Sequence, residues 1–462
     1  MSDRPPQQLW QLSATDLAAA YGVGATTPDA VLEATLQRLA EVNPRINAVV
    51  TLNLDGARGA AQDSTRRWRD GQALGPLDGV PMTVKDNILV RGLRATWGSR
   101  LYADHVPEFD EPPVARLRQS GAVILGKTNV PEFTLHGFTD NVLFGPTRNP
   151  WDLALTPGGS SGGAAAAVAS GIGPIALCTD GGGSIRRPAA HTGLVGFKPS
   201  RGMVPRGTGF PAILHDFEVA GPIARTVDDI ALAMHVIGGP RWRELSDPPH
   251  DRRLNILHIA AFGDQPVDPA IGRAVSDVAA ELANAGHNVE YASRFDLARP
   301  IGEIWPIISN TGVAWLLSQH GGTEQKVGPA LTEMARQGAT YSAADYLGAL
   351  DAVQKVKREF DALFERIDVL LTPTTAAMPW LATETHPTAI AGQPVGPRGH
   401  AVFTPFANAL GLPAISLPCN VWPDDMPVGF QLCAAQGQDA VLLELAREYE
   451  GQTEIGFRWP PL

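Results

Sequence analysis

Cysteine is scarce in this sequence: Cys178, Cys419 and Cys433 are the only three. Thiols so few and so scattered build neither a disulfide framework nor a cysteine metal site, and a reducing cytoplasm is the expected setting. A long apolar run is missing too. The best candidate, residues 164–177, is rich in small residues and broken by glycine and Pro174, short of the ~20 apolar residues that cross a bilayer. The amino terminus, Met1-Ser2-Asp3-Arg4-Pro5-Pro6, lacks the basic and apolar regions of a signal peptide. Positive charge is in deficit, with 37 Lys and Arg against 48 Asp and Glu. The resulting net charge of −11 disfavours broad attraction to phosphate backbones or anionic membranes. What is there is a folded, soluble composition, 44% hydrophobic and 18% charged. At 462 residues the chain calls for two domains or one large sheet covered on both faces.

Apolar periodicity alternates between helical and extended along the chain. Thr27-Pro28-Asp29 opens an amphipathic helix with Val31, Leu32, Leu36 and Leu39 on one face. Residues 78–86 form a turn and a short β-branched strand that ends at Lys85. Residues 113–120 read as a helix and residues 122–125 as a strand, the rhythm of α/β architecture. A loop of Gly, Pro, Asn, Thr and Ser over residues 142–163 then gives way to an alanine-rich helix start. A second glycine run, Gly181-Gly182-Gly183-Ser184, follows the apolar residues before Asp180. The polar, proline-containing stretch 241–253 is the best candidate for an internal boundary. Beyond it, strands at 254–259, 369–374 and 413–418 and helices at 269–285 and 343–367 continue the pattern.

Three motifs compete. Residues 121–128, Gly-Ala-Val-Ile-Leu-Gly-Lys-Thr, satisfy the pattern of a phosphate-binding loop. Such a loop needs its four middle residues as an open turn, whereas here they are the strand itself. Gly158-Gly159-Ser160-Ser161-Gly162 satisfies the nucleophile elbow of α/β-hydrolases, with Ser160 attacking and His386 or His400 as base. No apolar strand precedes it, as an elbow requires. The third reading joins Lys85, the Gly-Ser segment 158–163 and the segment Thr179 to Arg186 into one site, with Ser160 and Ser184 24 positions apart.

On these residues the chain resembles the amidase signature family. The resemblance extends through residues 77–81, 126–129, 193–199, 411–414 and 427–432 and is weakest between 241 and 340. It implies an α/β fold, a large twisted mixed sheet sandwiched between helices, as a single domain over 1–462 with 241–345 as its variable, substrate-shaping part. It implies Ser184 as nucleophile, Ser160 as proton relay and Lys85 as base, with a cis peptide between Gly159 and Ser160. The N–H groups of Gly181, Gly182, Gly183 and Ser184 would form the oxyanion hole, supported by Ser161, Asp180 and Arg186. No cofactor and no metal is implied. The expected partner is a small-molecule amide or related acyl substrate, not nucleic acid or membrane, and a homodimer is left open. One departure is Gly182, where members commonly carry Thr or Ile, which implies a more flexible oxyanion loop.

The chemistry fits these residue types. An amide needs an activated hydroxyl, an oxyanion receptor and a proton for its leaving amine. Lysine becomes a base when burial penalises its ammonium form, and Asp86 need not share its pocket because strand neighbours point to opposite faces. Each residue also has a plainer reading: Gly-Ser segments are usually linkers, Lys85 a solvated strand end, Cys178 a core residue, and His136, His191 and His215 satisfied polar groups. The joint pattern favours catalysis. Around the acyl pocket the resemblance places Leu135, His136, Phe138, Phe210, Ile213, Trp305, Trp315, Met378, Trp380 and Phe403, with no arginine or lysine among them. A neutral aryl or apolar amide is the expected substrate, with esters and carbamates (urethanes) beside it. The rivals are an esterase using Ser160 and a glutamine-hydrolysing amidotransferase subunit.

Overall fold

The computed structural model describes residues 8–245, 252–321, 325–452 and 457–462. In it, side-chain alternation along short strands divides the apolar residues between the two faces of a sheet. Met82, Val84, Ile175, Leu177, Val369 and Leu371 enter one core, while the intervening Ala176, Cys178 and Leu370 enter cores on the other side. Helices Val227–Ile237, Pro269–Asn284 and Asp439–Gln452 cover the first face. Helices Gly162–Ala169, Arg299–Ser318 and Ala343–Phe364 cover the second. Local signals set their ends: Thr27 accepts the N–H of Ala30 at 3.3 Å and starts Pro28–Ile46, and Ser342 shares a reciprocal cap with Asp345.

Eleven strands make the main sheet. They are β1 (Val49–Leu52), β2 (Pro81–Lys85), β3 (Val123–Thr128), β4 (Ile175–Asp180), β5 (Val195–Lys198), β6 (Val219–Ala224), β7 (Asn255–Ile259), β8 (Asn288–Ala292), β9 (Val369–Pro373), β12 (Ala414–Pro418) and β13 (Gly429–Ala434). Between β9 and β12, β10 (Ala389–Ile390) and β11 (Gln393–Pro394) pair only with each other. The order is β1-β3-β2-β4-β6-β5-β12-β13-β9-β7-β8. The sheet is mixed: β2 lies parallel between β3 and β4, β9, β7 and β8 run parallel, and antiparallel pairs join the two groups. Part of the expected boundary, residues 246–251, lies outside the described residues. Past it, β7 rejoins the same sheet beside β9.

The glycine-lysine segment 121–128 runs as strand β3 from Val123 to Thr128, as its apolar middle required. Lys127 is buried, donates to the carbonyl of Ile88 at 2.7 Å and sits 3.7 Å from the Asp86 carboxylate. Asp86 accepts from the Thr96 N–H and hydroxyl at 2.9 and 2.5 Å. Removing one partner of a buried ion pair strands the other. Lys127→Ala is therefore expected to cost roughly 3–5 kcal/mol, read as a lower urea midpoint at unchanged slope.

Candidate active site

Strands β2 and β4 are parallel neighbours, with Val84 opposite Leu177, so their carboxyl ends deliver Lys85 and residues 179–184 side by side. The crevice beyond strand carboxyl ends is the usual site position in such sheets. Alternation puts Lys85 on the face that carries helix Gly162–Ala169, and the loop entering that helix brings Ser160. Lys85 and Ser160 are fully buried and Ser184 is 5% exposed. The Gly159–Ser160 peptide is cis.

Lys85 Nζ lies 2.8 Å from Ser160 Oγ, 3.0 Å from the Thr179 carbonyl and 3.0 Å from Thr179 Oγ1. As a neutral amine it can give its two N–H bonds to Thr179 and turn its lone pair to Ser160; as an ammonium it donates to all three. Proton transfer between Lys85 and Ser160 thus needs no rearrangement. Burial lowers the Lys85 pKa to about 8, against the upward pull of Glu218, Cys178 and Asp180. Asp86 is turned towards Thr96 and Lys127, as expected. Cys178 is buried and its thiol pushed up to about 12, by burial first, so it is a core residue.

The loop after β4 is braced by Asp180. Its carboxylate accepts from the N–H groups of Gly183 and Ile185 at 2.6 and 3.0 Å and from Arg186 at 2.9 and 3.0 Å. Burial alone would raise its pKa, but Arg186 holds it well below the usual carboxylate range. Arg186 also reaches Gln431 and Asn408, each at 2.6 Å, tying the loop to β13. Ser161 donates its hydroxyl to the Thr179 carbonyl and its N–H to the Ser184 carbonyl, both at 3.2 Å. One expectation is corrected: the Gly183 N–H serves Asp180, so it does not face an oxyanion. The N–H groups of Gly181, Gly182 and Ser184, and the Ser184 hydroxyl, make no hydrogen bond among the described residues. Gly183 has φ of 115°, a conformation glycine adopts without strain. At Gly182 a Cβ would press on the Trp305 ring at 2.9 Å, so the side chain missing there is replaced by Trp305.

The expected pocket divides. Trp305 lies against the loop, and Phe210 stacks on Trp97 at 4.8 Å beside Tyr102. Ile213 and Leu135 join the same core as Trp305. His136 stacks on Phe138 at 5.1 Å, and Trp380 packs on His191 and His400. Three assignments are corrected. Phe403 is fully buried against Phe262, Met378 packs against the core of the opposite face, and Trp315 is 49% exposed with no ring partner among the described residues. Apolar composition suits core and pocket alike, so sequence does not separate them. His191 is buried, 3.2 Å from the Ala377 carbonyl, and His215 is exposed. No histidine bonds Ser160 among the described residues; His400 sits 3.5 Å from Arg187 and His386 bonds Thr385.

The sequence reading missed two cations. Arg187 donates to the carbonyls of Gly183 at 3.3 Å and Gly159 at 3.5 Å, joining the two serine loops. Arg398 lies 4.8 Å over the Trp305 ring. The doubled arginine at 186–187 was a signal for the first; Arg398, alone in a glycine-rich stretch, offered none. The expectation of an acyl pocket lined without arginine or lysine is corrected by both.

The amidase family profile matches residues 30–443. The chain is 34% identical to an acylamidase of Rhodococcus erythropolis, covering 96% of each chain. It is 34% identical to a glutamyl-tRNA(Gln) amidotransferase subunit of Symbiobacterium thermophilum, over 96% of this chain and 97% of the relative. Among solved structures, a 6-aminohexanoate cyclic dimer hydrolase superposes with a TM-score of 0.88 at 30% identity, covering 98% of this chain and 99% of that one. A bacterial aryl acylamidase of the amidase signature enzymes gives 0.87 at 29% identity, covering 96% of each.

Because Lys85 accepts a proton only when neutral, the reactivity of Ser184 is expected to rise with pH through an apparent pKa near 8. The rate of fluorophosphonate labelling at Ser184 against pH reads this, and Lys85→Ala should remove the inflection.

Proposed function

The chain belongs to the amidase signature family, and we propose that it hydrolyses the C–N bond of a linear amide through an acyl-enzyme on Ser184. The observation that carries this reading is the buried Lys85–Ser160 contact of 2.8 Å, beside a Ser184 whose hydroxyl is uncommitted. Ser184 Oγ attacks the carbonyl carbon and passes its proton to Ser160, whose own proton goes to neutral Lys85. The oxyanion is received by the N–H groups left free in the loop, those of Gly181, Gly182 and Ser184. The relay then runs backwards: Lys85 returns a proton through Ser160 to the leaving nitrogen and the C–N bond breaks. Water adds to the ester by the same relay, releasing acid and restoring Ser184.

The finer reading is an aryl or otherwise apolar amide, with esters and carbamates as further substrates. Trp305, Phe210 and Trp97 support it, as does the likeness to an acylamidase and an aryl acylamidase. The segment 241–345 shapes the site, since Trp305 within it meets Gly182. Neutrality of the substrate is not carried over, because Arg187 and Arg398 stand at the site. A second reading, glutamine hydrolysis as part of an amidotransferase, has the support of the glutamyl-tRNA(Gln) amidotransferase relatives.

Ser184→Ala is expected to abolish turnover and covalent labelling, and Ser160→Ala and Lys85→Ala to lower kcat by about 10²–10⁴-fold. Label on Ser160 with turnover intact in Ser184→Ala would favour the esterase alternative instead.

For substrate class, kcat/KM for acetanilide is expected to exceed that for glutamine. The reverse order would select the amidotransferase reading.

A further inference from the structure

Around Lys85 every nearby carboxylate already has a cation: Asp86 has Lys127, Asp180 has Arg186, and Glu218 has Arg206. Across the serines the balance reverses. Arg187 and Arg398 form no ion pair among the described residues. Arg187 is 6% exposed and spends its hydrogen bonds on the carbonyls of Gly183 and Gly159 and on His400. The acid that acts on it, Asp180, is bonded to Arg186. Arg398 makes no side-chain hydrogen bond among the described residues and lies over the face of Trp305, whose edge touches Gly182. Its side chain is open to solvent, yet surrounding protein lowers its pKa to about 10. The pair also act on each other: burial and then Arg398 lower Arg187 to about 9. The imidazoles beside them add no charge of their own, His136 being lowered to about 4 by burial and Arg398, and His400 held well below its usual value by burial and Arg187.

We propose that Arg398, stacked on Trp305 and backed by Arg187, is a carboxylate-binding subsite of this active site, so that the substrate is an amide carrying a carboxylate. The inference rests on the amidase reading for the word amide, and on the cation pair for the word carboxylate. A guanidinium with its nitrogens free presents a planar fork that a carboxylate meets with two bonds. The fixed stack on Trp305 holds the fork in place. A zwitterionic substrate fits less well, because an ammonium would need an acid. The carboxylate beside the loop, Glu218, already accepts from Arg206 and Asn87. Arg187 is a positioning residue here: it ties the loops and adds to the positive field without being the open receptor.

The test uses two anionic amides, para-acetamidobenzoate and succinanilate, which carry the carboxylate on the leaving and acyl sides. Each is paired with an uncharged isostere, para-isopropylacetanilide and isohexananilide. Binding is measured by calorimetry on the Ser184→Ala protein, which needs no turnover, and kcat/KM on the wild type. The expected result is a preference of ~10–100-fold for at least one anionic amide over its isostere. That ratio should fall towards one in Arg398→Gln and be partly kept in Arg398→Lys. Equal binding of charged and uncharged partners, or a preference unchanged in Arg398→Gln, overturns the subsite and leaves the amidase reading standing. An Arg398-dependent preference in a protein that turns over no amide and leaves Ser184 unlabelled supports the subsite and rejects the amidase reading.

Discussion

The structure depends on keeping a lysine dry and without a carboxylate partner. An amine buried beside an acid would stay protonated, since the attraction opposes the burial penalty. The chain meets this constraint by assigning the neighbouring acids elsewhere. Strand alternation turns Asp86 to the opposite side, where Lys127 waits, and Arg186 takes Asp180. Arg206 occupies Glu218 and itself disfavours the ammonium form of Lys85. Those pairings also shape the backbone: Asp180 and Arg186 set the loop that carries Ser184, and Arg186 anchors it to β13. The tuning of the proposed base and the placement of the proposed nucleophile are therefore one network, seen from two ends.

That arrangement makes the site electrically lopsided. On the base side each carboxylate is matched; on the substrate side Arg187 and Arg398 have no ion pair among the described residues. In a chain of net charge −11, an unmatched positive pair beside the proposed nucleophile is a local inversion of the overall field. Such a field favours negative charge developing on a carbonyl oxygen, provided the donors are fixed beforehand. Arg187 is fixed by two backbone carbonyls and Arg398 is steered by an indole face, so the first at least need not be reorganised when charge appears.

Legibility in the sequence followed the range of the interactions. The two serine loops, the strand ending at Lys85 and the helices at 28–46 and 269–284 are written in contiguous residues, through glycine runs, caps and periodicity, and all stand where the sequence put them. The mixed order of the eleven strands was not legible, because pairing β5 with β12 joins segments far apart in the chain. The pocket was read least well for the same reason: Trp97, Phe210, Trp305 and Arg398 come from four distant segments. An aromatic residue in isolation says nothing of whether it lines a cavity or fills a core, as Phe403 illustrates, and the same holds for the apolar Met378. The Gly183 N–H was misassigned because the loop's glycines look equivalent until Asp180 selects one of them.

The departure at Gly182 then acquires a physical meaning. Read alone, a glycine in place of a larger residue suggests a looser loop. In the fold that vacancy is filled by the edge of Trp305, which arrives from helix Arg299–Ser318 and carries Arg398 over its face. Restoring a side chain at Gly182 would push against the indole and, through it, shift the guanidinium. A single position in the proposed oxyanion loop is thereby coupled to the proposed carboxylate subsite. The coupling runs through a segment whose match to the family was weakest. Substrate choice can be altered from that segment without touching Lys85, Ser160 or Ser184, because what it delivers is a surface laid against the loop rather than a group that reacts.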